Sequence, residues 1–200
     1  MSRVSASLAA LALTTACMHT GKPSGPSSQQ PTVARPAPAT QTEAEGLAAF
    51  NQQVKDYAAL HDRLEKTLPA LPKETNPQAI DKHQRALAEL IRGARKSARR
   101  GEIVTPDTER VIRRLLAGVF TGPDGPAIRS SIMDENPVAV KLAVNGRYPD
   151  EIPLSTVPPQ VLAVLPKLPE QLEYRFIGNR LILLDPHAHI IADYVENVLP

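Results

Sequence analysis

LEYRFIGNRLILLDPHAHIIADYV, residues 172–195, is the stretch on which the fold turns. Apolar and polar side chains alternate over 172–177, the two-residue period of a strand with one buried face. Gly178-Asn179 fits a tight hairpin turn. Arg180–Asp185 is more continuously apolar, Pro186-His187-Ala188 turns the chain, and residues 189–195 read as a third strand. Upstream, Val138, Val140, Leu142 and Val144 alternate with Ala139, Lys141, Ala143 and Asn145 before Asn145-Gly146 turns the chain. The region 136–200 is therefore an antiparallel β-meander of three strands, or four with 138–145. One face of such a meander needs cover.

Before residue 136 the period is helical. Leu47, Phe50, Val54, Tyr57, His61, Leu64 and Leu68 recur at alternating spacings of three and four, which places them on one face of a helix. Thr42-Glu43-Ala44-Glu45 has the form of a capping box that starts it, and Pro69 and Pro72 stop it. A second helix opens at Asn76-Pro77, carries Ile80, His83, Leu87, Leu90, Ile91 and Ala94, and ends at Gly101. The short connection predicts an antiparallel hairpin. Thr105-Pro106 caps a third helix, a fourth runs near 126–133, and a short one covers 160–165 before Pro166. The fold class is thus α+β, with a helical region 42–135 and a β region 136–200.

The first forty residues read differently. One positive charge in residues 1–3, an apolar run over 4–13 and small residues Thr14-Thr15-Ala16 have the layout of a secretory signal, residues 1–16. The run is shorter than the roughly 20 residues that span a bilayer core. Leu13-Thr14-Thr15-Ala16-Cys17 resembles the lipobox of bacterial lipoproteins, with Leu13 one position further from the cysteine than is usual. The resemblance implies that Cys17 carries a lipid and begins the mature chain, and that Met18 directs it to the outer membrane. Residues 17–41, rich in Pro, Ser, Thr, Gln and Ala, read as a disordered linker. The expected location is the cell envelope, on the outer membrane facing the periplasm, or soluble in the periplasm if Cys17 is not lipidated.

Composition narrows the function. Cys17 is the one cysteine, which excludes an internal disulfide framework and a Cys-based metal cluster within one chain. Aromatics make up 4% of residues with no Trp, so stacking platforms are scarce. The net charge of +2 is too small to argue for any partner by itself, and an exported chain without a recognition motif is not expected to meet nucleic acid. There is no Gly-rich phosphate loop, no G-x-S-x-G elbow and no H-E-x-x-H. No catalytic residue is singled out, although Asp185 and Asp193 lie on adjacent strands where they could meet.

Three groups of residues remain as candidates. His61 and His83 lie about equally far from the helical connection, so they meet in the seam, either as a metal or pH-sensitive pair or as a structural polar contact. His187 and His189 flank Ala188 beside Asp185. In an extended segment side chains two residues apart point the same way, so the three are candidate transition-metal ligands, or simply residues of an exposed turn. Arg92, Arg95, Lys96, Arg99 and Arg100, with Arg113 and Arg114 of the third helix, make a basic face. It suits an anionic lipid or envelope polymer, or else serves helix ends and covers apolar surface.

The ending quoted above resembles the C-terminal motif of small periplasmic proteins typified by the RcnB-type nickel–cobalt homeostasis family, in Tyr174-x-x-x-Gly178, the aliphatic run, Asp185, a turn and a closing strand. The resemblance implies a periplasmic compartment and the meander. The reading that follows is a non-catalytic envelope lipoprotein, held to the membrane by Cys17 and binding an envelope protein or anionic polymer, without a cofactor. The alternative is a periplasmic metal-binding or metal-homeostasis protein using the histidines of the β region.

Overall fold

The chain is α+β, with its helices first and its strands last. The computed structural model describes residues 40–71, 76–134 and 140–200. Within them lie α1 (Gln41–Glu65), α2 (Pro77–Ala94), α3 (Pro106–Phe120), α4 (Gly125–Asp134), α5 (Pro159–Val164), β1 (Glu173–Ile177), β2 (Arg180–Asp185) and β3 (Ile190–Val195).

α1 begins one half-turn earlier than the Thr42 box implies. Thr40 is the N-cap: its hydroxyl accepts from the Glu43 amide at 3.3 Å, and its own amide donates to Glu43 Oε2 at 2.7 Å. The sequence offers two overlapping boxes, and the earlier one leaves Glu43 within reach of Arg114 on α3. The stripe then behaves as its spacing predicts, with Phe50, Val54, Tyr57 and His61 buried. α2 is capped by Asn76, whose side chain accepts from the Ala79 amide at 2.8 Å. It ends at Ala94, well short of Gly101. Arg95 leaves the helical conformation (φ −114°, ψ 32°), and its side chain turns inward.

The segment after Arg95 is organised by β3. Asp193 is fully buried, and its carboxylate accepts from the amides of Gly101, Ile103, Val104 and Tyr194 at 2.8–3.2 Å. Burial pushes the Asp193 carboxyl above its ordinary range, and these amides pull it back part of the way. Gly101 sits at φ +88°, a left-handed position that glycine adopts at little cost. Thr105 then caps α3 with Pro106 in its first turn.

The sheet has the order β1-β2-β3, both pairs antiparallel, with Ile177 opposite Arg180 across the Gly178-Asn179 turn. A bulge at Leu183/Leu184 shifts the β2–β3 register. Of the fourth strand expected over 138–145, residues 138–139 lie outside the described segments, and 140–145 are not strand. Instead, the chain turns at Asn145 (φ 60°) and pairs just beyond it. Asn145 N donates to Ile191 O, Ile191 N to Gly146 O, and Tyr148 N to His189 O, at 2.8–2.9 Å, with a bridge between Arg147 and Ile190. That short ribbon covers the outer edge of β3, and Pro149 has no amide to continue it.

Both faces of the sheet are covered. Tyr174, Phe176, Leu181, Leu183 and Ile190 join Phe50, Leu87, Ile91, Ile112 and Leu116 in one cluster with the helices. Ile177, Ile182, Leu184 and Ile191 pack on the other side with Leu142, Tyr148 and Ile152. This is why β2 reads as a continuous apolar run rather than an alternation. Each fully buried aliphatic there contributes about 1.5–3 kcal/mol relative to exposure.

Candidate metal centre

α1 and the end of β2 meet at a polar island in this core. Tyr57, His61 and Glu65 follow one another at helical spacing on α1, and Asp185 closes β2 with no solvent exposure. The Tyr57 hydroxyl donates to Asp185 Oδ2 at 2.8 Å, and His61 Nδ1 lies 2.6 Å from the same oxygen. Asp185 Oδ1 accepts from the Ala188 amide at 2.9 Å. The guanidinium of Arg95 stands over the Tyr57 ring, 5.0 Å from its centroid.

The other ring nitrogen of His61 faces outward. Nε2 is 3.3 Å from Glu65 Oε2. Two more imidazoles approach the second oxygen of that carboxylate: His83 Nε2 at 3.5 Å and His187 Nδ1 at 3.4 Å from Oε1. The rings of His61 and His187 meet edge to face with centroids 5.2 Å apart. One donor atom from each of His61, Glu65 and His187 falls within 4.8 Å of the others. Burial grades across the group, from His61 (0% side-chain exposure) through Glu65 (33%) to His187 (50%), so the cluster opens to solvent on the His187 side.

The electrostatics follow from the placement. Burial alone lowers the pKa of His61, but the hydrogen bond and charge of Asp185, with Glu65 behind them, raise it above the ordinary value. Burial first, and then the charge of Asp185, push the Tyr57 hydroxyl well above its usual range. Tyr57 therefore acts as a hydrogen-bond donor at neutral pH.

The seam pair His61 and His83 does converge, but through Glu65. Tyr57 and His61 share Asp185 Oδ2 as their acceptor, and Asp62, next to His61, accepts from Gln171 at 2.8 Å. His187 and His189 separate. The expectation that both face one ion assumed extended backbone, whereas 186–189 is a turn and His189 sits at φ 54°. His189 lies edge-on to Tyr148, with centroids 5.6 Å apart, and 3.5 Å from Asp150. Burial, together with the charge of Arg147, lowers its pKa. Asp185 supports His61 rather than standing beside the two turn histidines, and both its oxygens are engaged within the protein. Asp185 and Asp193 do not form a pair: the first faces α1 and the second faces the 101–104 loop.

The basic face is also divided. Because α2 stops at Ala94, Arg95 is buried and donates to Asn145 Oδ1 at 2.7 Å, Ala192 O at 3.2 Å and Glu102 at 3.1 Å. Arg92 donates to Asn145 O at 3.1 Å. Arg100 and Arg113 pair with Glu109, and Arg114 with Glu43. Lys96 and Arg99 are exposed. Cys17 lies outside the described residues. Among those residues, no helix is long and apolar enough to cross a membrane.

Sequence reasoning missed Glu65, the node of the cluster. A signal existed: Glu65 is the last residue of α1, where a negative charge opposes the helix dipole, and it stands four residues after His61. Together these features define an α+β domain with a histidine–carboxylate cluster between its first helix and its sheet. No protein-family model, curated protein or solved structure matches the chain.

Proposed function

We propose that this domain binds a divalent transition-metal ion through His61 Nε2, the Glu65 carboxylate and His187 Nδ1, with His83 Nε2 as a further donor. The observation that carries the reading is the convergence of three imidazoles on one carboxylate, at 3.3–3.5 Å. Donors bound at about 2.0–2.1 Å to a tetrahedral ion lie about 3.3–3.4 Å apart, close to these carboxylate–imidazole distances, and one donor atom each of His61, Glu65 and His187 lies within 4.8 Å of the others. Imidazole with one carboxylate suits zinc, nickel or cobalt better than the hard ions calcium and magnesium. The solvent-facing His187 side favours an ion that exchanges over one locked into the core, and the role is binding rather than catalysis.

The signal-like residues 1–16 and the lipobox-like stretch ending at Cys17 support placing this domain in the cell envelope, tethered by lipid at Cys17. The intact mass of membrane-extracted protein, compared with a Cys17→Ala variant, tests that part.

The metal reading is tested by titrating the full chain, in a Cys17→Ser background to remove the thiol, with zinc and with cobalt. One ion per chain at micromolar or tighter affinity is expected, with binding lost in Glu65→Gln and weakened at least tenfold in His187→Ala. Absence of uptake, or uptake indifferent to both variants, overturns it.

A further inference from the structure

We infer that Asp185 is the positioning residue of this metal site, holding two of its ligands from two different elements at once; the inference rests on the metal reading above. Its two oxygens have separate tasks. Oδ2 takes His61 Nδ1 at 2.6 Å, which leaves Nε2 as the nitrogen facing Glu65. A neutral imidazole has one N–H and one lone pair. A carboxylate on Nδ1 therefore selects the tautomer whose lone pair is on Nε2, the atom that must meet an ion. This is the carboxylate–histidine–metal arrangement, in which the outer carboxylate fixes the ring and raises its basicity.

Oδ1 works on the other ligand. It accepts the Ala188 amide at 2.9 Å and so closes the turn that follows β2. His187 lies inside that closed turn, and Gln84 of α2 donates to the Pro186 carbonyl at 3.3 Å, holding the same turn from the helical side. One buried side chain therefore sets the ring plane of His61 and the backbone that presents His187. Tyr57 is the support for Asp185: its hydroxyl donates to Oδ2 at 2.8 Å, the oxygen that His61 uses, while the Ala188 amide holds Oδ1. Arg95, 5.0 Å from the Tyr57 ring centroid, packs against that ring in turn.

Buried carboxylates of this kind are expensive to keep ionised without partners. Asp185 has three donors and no solvent exposure, so its place in the core is explained by what it orients rather than by packing.

The test uses the full chain in the Cys17→Ser background and two variants, Asp185→Asn and Tyr57→Phe. Nitrogen chemical shifts of His61 are read in the metal-free protein at a pH where the ring is neutral, and zinc affinity is measured separately. The parent protein is expected to show the Nδ1–H tautomer. Asp185→Asn is expected to mix the tautomers and weaken zinc binding by about 10–100-fold, the range for loss of an outer partner. Tyr57→Phe keeps the ring under Arg95 and is expected to lose several-fold in affinity with a smaller change in tautomer. Should Asp185→Asn not fold, Tyr57→Phe decides alone. An Nε2–H tautomer in the parent protein, or tautomer and affinity both unchanged in a folded variant, overturns the assignment. If the parent protein takes up no zinc, the function reading falls by itself, and the tautomer shifts still decide whether Asp185 orients His61.

Discussion

Glu65 Oε1 lies 3.4 Å from His187 Nδ1, joining the end of α1 to the turn between β2 and β3 across more than half of the chain. An ion bound there links α1 to the sheet, and through His83 to α2. Because the ligands converge only in the folded chain, binding favours the folded state by mass action. At a free zinc concentration of 100 times Kd the gain is about 2.7 kcal/mol. A thermal midpoint higher by several degrees is expected with zinc, reversed by chelator and absent in Glu65→Gln. A midpoint that ignores zinc at saturating concentration would count against a site shared by these elements.

His61 and His189 give the metal-free protein opposite pH dependences. The His61 pKa is raised in the folded state, so the folded chain holds that proton more tightly than the unfolded one. Its contribution to stability is complete below about pH 6.5, the ordinary histidine value, and is lost as pH rises through the higher folded value. The His189 pKa is lowered, so its contribution is present above about pH 6.5 and is lost as pH falls toward the folded value. With chelator present, Asp185→Asn is expected to flatten the alkaline loss and His189→Gln the acidic one. Urea midpoints at pH 5, 6.5 and 8 measure both. An acid loss of the same size in His189→Gln would assign it to another group.

How much of this was legible is clearest at α1 and α2. The stripe Phe50, Val54, Tyr57 and His61 buried as its period implies, because one helical face against a core is a local property of sequence. The end of α2 was not legible. Residues 95–100, Ser97 apart, are strong helix formers by propensity, and what unwinds them is Asp193, about ninety residues away, drawing in the amides of Gly101, Ile103 and Val104. The same unwinding removed Arg95 from the expected basic face. For the site, the histidines were visible as residue types, but their partners depended on the φ of His189 and on where the 145–148 ribbon joined β3. Neither is encoded in spacing alone.

Asp193→Ala is accordingly expected to be among the more damaging single substitutions. It removes the acceptor of the buried amides of Ile103 and Val104 and of the half-buried amide of Gly101. An unsatisfied buried donor costs about 1–3 kcal/mol, and two buried amides, Ile103 and Val104, meet that penalty together, with the part-buried Gly101 amide beside them. A loss of at least 3 kcal/mol in urea denaturation is expected, with amide exchange at 101–104 accelerated. A loss below about 1 kcal/mol would show that water reaches those amides once the carboxylate is gone.

Arg95 and Arg99 separate the structural from the surface cations by a single comparison. Arg95 is buried, and its guanidinium serves Asn145, Ala192 and Glu102 while lying over Tyr57. Truncation leaves Asn145 Oδ1 and the Ala192 carbonyl short of a donor and opens a void beside Tyr57. Arg95→Ala is expected to cost about 2–4 kcal/mol from unmade hydrogen bonds and lost packing. Arg99 is exposed, and Arg99→Ala is expected to fall within about 0.5 kcal/mol of the parent. Charge reversal at Arg95 therefore cannot report on surface binding, since it unsettles the core first. Equal, small losses for both alanine variants would mean that Arg95 spends its time in solvent and that the basic face is continuous after all.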